Sequence, residues 1–253
     1  MLGFLGVGHL SAALLAGLVR AGHAPERILL SPRGRAAELA ARHGFGLARD
    51  NADLVKRARL VVLAVRPADA PGAVSGLPWQ ADQLVISACA GVPMAALEVG
   101  PARLMRIMPV TAAEVGASPT ACFPDLEEAR EVLEAFGPVV PLTSEAEFQL
   151  ATVTSAVYGW VQDLVRQTAD WSAAQGLDPA VARRLNALMF SAAGALVAGK
   201  PQPMDQMLHE LVTPGGITER GLQVLAQGGV ADQWRAACDA VLAKLEGAGT
   251  LRG

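Results

Sequence analysis

The chain has 253 residues, a formal net charge of −3 at pH 7 and a composition that is 52% hydrophobic but only 4% aromatic. This composition provides a substantial aliphatic core and excludes long disordered stretches, and the lack of a dense basic run argues against a nucleic-acid-binding surface. The cysteines and histidines are scattered, which fits a reducing compartment and gives no pattern for a metal site. The sequence shows no signal-peptide pattern and no uninterrupted membrane-spanning run, so we expect a cytoplasmic protein.

The first part of the chain alternates between strand and helix patterns. The predicted strands are apolar runs at 1–7, 27–31, 60–65, 83–88, 103–108 and 116–123, with a short extended segment at 139–142. The predicted helices lie at 9–21, 35–43, 50–57, 93–99 and 126–136. Continuous apolar strands that alternate with helices are typical of a parallel sheet buried on both faces, so the sequence predicts a doubly wound α/β domain.

After Thr143 the strand patterns cease and only helical patterns remain. Asp178 followed by Pro179 is typical of a helix start. The predicted helices span 145–175, 179–198, 204–211, 219–227 and 231–245. Their apolar residues have little else to cover them, which indicates an interface between subunits. We therefore predict an α/β domain over 1–143 and an all-helical domain over 144–253.

The first strand runs directly into the loop Gly6-Val7-Gly8, and a helix follows at His9-Leu10-Ser11. The first glycine permits a tight turn, and the second lets the backbone approach a pyrophosphate. Ser11 holds the third position of the dinucleotide-binding fingerprint, where a small residue lets the helix pack on the strand. The context predicts a dinucleotide site that includes Gly6, Gly8, His9 and Leu10, and the alternative is an ordinary strand-to-helix turn.

The end of the second strand discriminates between the two nicotinamide dinucleotides. NAD sites place an acidic residue there for the ribose hydroxyls, but this chain reads Ser31-Pro32-Arg33-Gly34-Arg35. The Ser31 hydroxyl and the guanidinium groups of Arg33 and Arg35 can hold a 2′-phosphate through charge-assisted hydrogen bonds. We therefore predict NADPH in preference to NADH, the alternative being a solvated basic loop.

Three later strand ends are expected at the same crevice, because ligands of open α/β sheets bind at the carboxyl ends of the strands. They are residues 64–67, 87–91 and 106–111. Small residues in the second of these would let a nicotinamide ring approach the backbone. The predicted cofactor contacts from these ends are Ala64, Val65, Arg66, Pro67, Ala88, Ala90 and Gly91. Taken singly, each segment is more simply a loop.

Near the C-terminus, the segment Thr213-Pro214-Gly215-Gly216-Ile217-Thr218 lies between two helical patterns. Pro214 has no N–H to donate, and glycines adopt dihedral angles closed to other residues. A glycine turn that opens a helix presents N–H groups suited to a carboxylate or a phosphate. The simpler interpretation is a helix-to-helix connection with Thr218 as the N-cap.

Over nearly the whole chain, these segments resemble the pyrroline-5-carboxylate reductase family. Residues 6–8 match the family's cofactor loop, and residues 64–67 look like its Ala-Val-Lys-Pro segment. Residues 106–111 are similar to its Arg-x-Met-Pro-Asn-Thr segment. Residues 213–218 parallel its Ser-Pro-Gly-Gly-x-Thr segment, which is the most specific element.

The resemblance implies an N-terminal Rossmann domain that binds NAD(P)H and a helical domain that pairs with a second copy, with the active site at the dimer interface. It implies that Thr213 and the N–H groups of Gly215 and Gly216 hold the substrate carboxylate. It also implies that Thr218 hydrogen-bonds the ring nitrogen and that Tyr158 belongs to the substrate site. The implied reaction is NADPH-dependent hydride transfer to the imine carbon of 1-pyrroline-5-carboxylate, which gives proline. A protonated cyclic imine is already electrophilic, so the protein need only orient both partners.

Departures from the family pattern leave other functions open. Val110 stands where the family has Asn, and the family's Ser-Gly-Ser-Gly-Pro-Ala-Tyr is Thr-Val-Thr-Ser-Ala-Val-Tyr at 152–158, so a different imine or imino acid is one alternative substrate. A non-catalytic NADPH-binding paralogue is another alternative. The β-hydroxyacid dehydrogenases have the same layout with a catalytic Lys on the long helix, and the lack of any Lys within 145–175 disfavours them.

Overall fold

The structure is a computed structural model of the chain, and it describes residues 1–250. The chain forms two compact units, one comprising Met1–Ser155 with the chain from Leu242 onward, and the other Ala156–Val241. The domain boundary after residue 143 stays a prediction, since the first turns of the long helix belong to the first unit.

The first unit is built on an eight-stranded sheet with the strand order β3-β2-β1-β4-β5-β6-β7-β8. Its strands are β1 (Leu2–Leu5), β2 (Ile28–Leu30), β3 (Gly46–Leu47), β4 (Leu60–Leu63), β5 (Leu84–Ser87), β6 (Arg103–Met108), β7 (Thr120–Phe123) and β8 (Val139–Pro141). The order reverses between β1 and β4, which is where open α/β sheets bind their ligands. The prediction of a doubly wound α/β fold is confirmed.

The sheet is not wholly parallel, and here the prediction needs correction. Strands β1 to β6 are parallel, but β7 runs antiparallel to β6, and β8 is parallel to β7. The connection from β6 to β7 contains only a 3₁₀ turn at Thr111–Val115. This connection has no room for a crossover helix, so the chain turns back beside β6.

Alternate side chains of the central strands enter two separate apolar cores, one on each face of the sheet. Phe4 and Val62 point into one core, whereas Leu5 and Val61 point into the other. Both faces are therefore dry, which is why these strands read as unbroken apolar runs.

Five short helices cover the sheet. They are α1 (His9–Arg20), α2 (Ala36–His43), α3 (Asn51–Arg57), α4 (Ala70–Val74) and α5 (Arg130–Glu134). The helix predicted over 93–99 is wrong, because only a 3₁₀ turn forms at Met94–Ala96. Leu97 and Val99 are both buried with exposed Glu98 between them, so this stretch packs with the period of an extended chain.

The helices of the C-terminal part match the predicted pattern closely. They are α6 (Glu145–Ala174), α7 (Pro179–Gly199), α8 (Met204–Leu211), α9 (Ile217–Gln227) and α10 (Val230–Thr250). Asp178 caps α7 as expected, since its carboxylate accepts from the N–H groups of Ala180 and Val181 at 3.0 Å each. Within the second unit, Trp160 of α6 meets Trp234 of α10 edge-on with ring centroids 5.6 Å apart.

Helix α7 has several large apolar side chains that are exposed in the single chain. Leu188 and Met189 are 56% and 62% exposed in the single chain. By length and composition alone α7 is also apolar enough to cross a membrane, and 6% of its apolar window is buried. Arg183, Arg184 and Asn186 interrupt that run near its start. Exposed apolar faces of this kind mark interaction sites on protein surfaces.

Candidate active site

The loop after β1 folds tightly around Gly6. Gly6 has φ +93°, and a Cβ there would lie 2.6 Å from Val65 Cγ1 and 2.8 Å from the backbone carbon of Ala64. Both the dihedral angle and the contact exclude a side chain. Ser11 is fully buried, and its hydroxyl donates to the Gly6 carbonyl at 2.6 Å. Serine at the third fingerprint position therefore ties α1 to the loop as well as being small.

Gly8 is a glycine for a different reason. Its φ of −99° and ψ of −159° are open to any residue, and a Cβ there would have no protein atom within 4 Å. Gly8 is the N-cap of α1, whose first N–H groups have no partner within the helix. Because nothing in the chain demands a glycine here, the room beside Gly8 suits the close approach of a phosphate group.

A cavity of about 730 Å³ opens beside this loop, at the carboxyl ends of β1, β2 and β4. Its volume lies within the range of cofactor and ligand pockets. It is lined by Leu5, Gly6, Val7, Gly8, Ser31, Arg33, Gly34, Asn51, Ala64, Val65, Arg66, Asp69, Gly72 and Ala73. The bare backbone at Gly8, the adjacent helix N-terminus and an arginine together fit a phosphorylated dinucleotide.

The cavity gathers half of the residues predicted to bind the cofactor. Those at its wall are Gly6, Gly8, Ser31, Arg33, Ala64, Val65 and Arg66. Those outside its wall are His9, Leu10, Arg35, Pro67, Ala88, Ala90 and Gly91. His9 and Leu10 form the first turn of α1, and Gly91 has φ +72° in the loop after β5.

Two of the three polar residues predicted for the 2′-phosphate face the cavity. Ser31 is 2% exposed, and its Oγ accepts from the Gly6 N–H at 3.0 Å, which joins the end of β2 to the glycine loop. Arg33 is exposed at the cavity wall, and none of the ion pairs among the described residues involves it. The Arg33 guanidinium is therefore available to an anion.

Arg35 is not among the residues that line the cavity, and its predicted contact with the 2′-phosphate stays a prediction. Its Nε and Nη2 donate to the two carboxylate oxygens of Glu38 at 3.0 and 2.6 Å. Arg35 is the N-cap position of α2, and Glu38 follows in the first turn of that helix. The acid three residues later engages the guanidinium that the sequence pattern assigned to a phosphate.

Asn51 and Asp69 line the cavity but were not predicted. Asn51 is the first residue of α3, the helix that follows the short strand β3. The sequence signal was weak because β3 has only two residues, too few to show a pattern. Asp69 accepts from Arg66 Nε at 2.7 Å, so the Arg66 charge at the cavity wall is partly compensated.

The Thr213–Thr218 segment forms a tight turn that opens α9. The Gly216 N–H donates to the Thr213 carbonyl at 2.9 Å, and Gly215 has φ +71°. A type II turn requires a positive φ at its third position, here Gly215, and Pro is common at its second position. A Cβ on Gly216 would lie 2.8 Å from the Thr213 oxygen, so the fourth position also excludes a side chain.

The segment does connect α8 to α9, as the simpler interpretation has it, but the prediction that Thr218 is the N-cap is wrong. Gly216 is the N-cap, and Thr218 is the second residue of α9 with an exposed side chain. The Thr213 side chain is likewise exposed. The N–H groups of Gly215 and Gly216 both have partners within the chain, because the Gly215 N–H donates to Glu219 Oε2 at 2.7 Å. Tyr158 lies half-buried on α6, in the same compact unit as the turn.

A buried arginine in the sheet of the first unit has a structural role that the sequence did not predict. Arg106 on β6 is 1% exposed, and its Nη1 donates to Glu145 Oε1 at 2.9 Å. Glu145 also accepts from the Met94 N–H at 2.8 Å, and the guanidinium lies 4.5 Å from the ring centre of Phe148. This pair holds the start of α6 against the sheet. Burial lowers the pKa of Arg106, and the hydrogen bond and the charge of Glu145 oppose that shift.

Cys89, just after β5, is buried in the same region of the sheet. Burial raises the pKa of its thiol to about 11. Its Sγ lies 3.5 Å from the Val65 carbonyl oxygen and 3.6 Å from that of Leu63. Cys89 is therefore an inert packing residue at neutral pH rather than a nucleophile.

Comparison with known proteins agrees with both halves of this description. Residues 1–91 match a family described as NADP oxidoreductase, coenzyme F420-dependent, and residues 145–247 match the pyrroline-5-carboxylate reductase dimerisation family. Pyrroline-5-carboxylate reductase 2 of Bacillus subtilis is 30% identical over 250 residues, covering 88% of this chain and 86% of that protein. The reductase of Methanosarcina acetivorans is 28% identical over 249 residues, covering 90% of each chain.

A solved structure gives the same picture of the fold. The pyrroline carboxylate reductase of Plasmodium falciparum, determined with NADP bound, superposes with a TM-score of 0.86 at 23% identity over 98% of both chains. The match to curated reductases over most of both chains and the matched dimerisation family confirm the resemblance found in the sequence. This chain belongs to the pyrroline-5-carboxylate reductase family.

Proposed function

We propose that this protein reduces 1-pyrroline-5-carboxylate to proline at the expense of NADPH. The observation that carries the proposal is the combination, in one chain, of a glycine-lined dinucleotide cavity and the Thr213–Thr218 turn. The first supplies a place for the hydride donor, and the second supplies hydrogen-bond donors for a small carboxylate. The curated relatives that carry this name match the chain over most of its length.

The cofactor in this proposal is NADPH, which would supply the hydride when bound. Gly8 and the N-terminus of α1 would hold the pyrophosphate, and Arg33 with Ser31 would hold the 2′-phosphate. Among the residues that line the cavity the acidic one is Asp69, and its carboxylate is engaged by Arg66 at 2.7 Å. A ribose 2′-phosphate is therefore favoured over a free hydroxyl.

The substrate in this proposal is held through its carboxylate at the start of α9. Thr213 and the N–H groups at the turn would bind the carboxylate, and the Thr218 hydroxyl would hydrogen-bond the ring nitrogen. Hydride transfer needs the imine carbon and the nicotinamide in contact, so orientation is the main contribution of the protein. The protonated imine is already electrophilic, so no strong general acid is required. The imine nitrogen becomes an amine, and a hydroxyl group can position and stabilise it. Tyr158 is our further candidate for the substrate site.

We further propose that the protein acts as a homodimer or a larger homo-oligomer in the cytoplasm. The exposed apolar side chains of α7 would be covered by a second copy, since a face of this kind is unstable in water. The match of residues 145–247 to a dimerisation family supports this arrangement.

A panel of cyclic imines tests the proposal. Purified protein should oxidise NADPH rapidly with 1-pyrroline-5-carboxylate and much more slowly with 1-pyrroline, which lacks the carboxylate. Thr218→Ala should lower kcat by roughly ten- to hundredfold without changing NADPH affinity, the usual cost of a lost polar contact to the reacting group. Equal rates with and without the carboxylate would contradict the role of the turn. Tight NADPH binding without turnover on any imine would favour a non-catalytic paralogue.

A further inference from the structure

The turn that we assign to the substrate carboxylate already holds a carboxylate from its own chain. Glu219, the third residue of α9, accepts from the Gly215 N–H through Oε2 at 2.7 Å. The Glu219 side chain is only partly exposed, whereas Thr218 beside it is exposed. A negatively charged group at a helix N-terminus is stabilised by the helix dipole and by charge-assisted hydrogen bonds.

The donors around the turn differ in their partners, since the first N–H groups of α9 have none within the helix, whereas those of the turn itself are engaged. Pro214 has no N–H, and the Gly216 N–H is used by the Thr213 carbonyl at 2.9 Å. Gly215 is therefore the turn residue whose N–H is bound by a side chain that can rotate away. A substrate carboxylate and the Glu219 carboxylate cannot both accept from the Gly215 N–H. If both approached that N–H, their negative charges would repel each other.

We infer that Glu219 is an intramolecular competitor of the substrate carboxylate, and that it occupies the substrate-binding turn until an imino acid displaces it. This inference rests on the proposed function, because it requires the turn to bind a carboxylate. Displacement needs only rotation of one side chain, since the type II turn is closed by backbone contacts that do not involve Glu219. The competitor raises the apparent KM for any carboxylate substrate and disfavours substrates that bring a second negative charge to the turn.

Replacing the competitor provides the test. Glu219→Ala should lower KM for 1-pyrroline-5-carboxylate about three- to tenfold, the range expected when one exposed charge-assisted hydrogen bond no longer has to be broken. KM for NADPH should stay at its wild-type value, because Glu219 lies outside the dinucleotide cavity. Glu219→Gln keeps an acceptor but loses the charge, so its KM should lie between those of wild type and Glu219→Ala.

A matched control removes another carboxylate from the same region. Glu210, on α8, is exposed and accepts from Gln206 Nε2 at 2.9 Å, one turn earlier on the same helix. Glu210→Ala removes the same charge and should leave KM for the imino acid unchanged. A fall in KM with this variant as well would attribute the effect to net charge alone and overturn the inference.

The opposite results are equally decisive. If Glu219 serves only to order the turn as an N-terminal cap, then Glu219→Ala raises KM, and a raised or unchanged KM in both Glu219 variants overturns the inference. A wild-type protein that reduces no imino acid contradicts the proposed function itself. An active wild type with an unfavourable Glu219 result contradicts only the role of Glu219.

Discussion

The two glycines of the first loop should respond in opposite ways to the same substitution. In Gly8→Ala, the new methyl group meets no protein atom within 4 Å, and the backbone is in a region open to alanine. In Gly6→Ala, the methyl group would lie 2.6 Å from Val65 Cγ1 with the backbone at φ +93°. Only the second change therefore strains the folded protein.

The magnitudes follow from these geometries. We expect Gly8→Ala to change the free energy of unfolding by less than about 1 kcal/mol, since the loss of backbone freedom in the unfolded state and the poorer N-cap nearly cancel. Gly6→Ala should cost about 2–4 kcal/mol, because positive-φ strain and overpacking act together. A methyl group that intrudes on the pyrophosphate should weaken NADPH binding at Gly8→Ala by roughly 10- to 100-fold, or about 1.4–2.8 kcal/mol.

Urea unfolding of the free protein and fluorescence titration with NADPH separate the two effects. Gly8→Ala should unfold like wild type and bind NADPH weakly, whereas Gly6→Ala should unfold at lower urea. Wild-type NADPH affinity in Gly8→Ala would refute the assignment of the room beside Gly8 to a phosphate. A large loss of stability in Gly8→Ala would refute the structural reason given for this glycine.

Three further predictions follow from the same contacts. Arg33→Ala should weaken NADPH binding about tenfold or more without changing NADH binding. Arg35→Ala should leave both affinities unchanged in the same titration, because the Arg35 guanidinium is paired with Glu38. Equal effects from the two variants would contradict this distinction. Glu145→Ala should lower the free energy of unfolding by about 2–4 kcal/mol in urea because it leaves buried Arg106 unpaired, and a loss below about 1 kcal/mol would show that the pair is not needed. The pKa of the Cys89 thiol is raised to about 11, so it should be alkylated at least about 100-fold more slowly at pH 8 than an exposed cysteine. Peptide mass spectrometry can measure this rate, and rapid labelling would contradict the burial of Cys89.

Much of the α/β unit was predictable because its strands are buried on both faces. A continuous apolar run such as 60–65 identifies a central strand without a partner in view. The missed elements are β3, which has two residues, and α4, which has five and contains Pro71. Elements of that length have too few residues to display a period, and tertiary packing determines them.

The parts of the candidate site that depend on backbone conformation were predictable from the sequence. The parts that depend on which partner a side chain binds were less predictable. Gly6 and Gly215 are visible in the sequence because few other residues adopt their positive φ angles. Gly8 and Gly216 are visible because a side chain would intrude on a phosphate at the first and on the Thr213 carbonyl at the second. Arg35 was assigned to a phosphate because the sequence alone does not show that Glu38 would capture it. The contact between Glu219 and Gly215 is not predictable from the sequence either, because it depends on the turn that brings the two residues together.

The reaction itself is the most direct test of this account. Purified protein should be mixed with NADPH and 1-pyrroline-5-carboxylate, and both NADPH oxidation and proline formation should be measured in the same sample. One proline should form for each NADPH consumed, and NADPH should be used in preference to NADH. Absence of proline, with the protein folded and NADPH bound, would contradict the proposed activity.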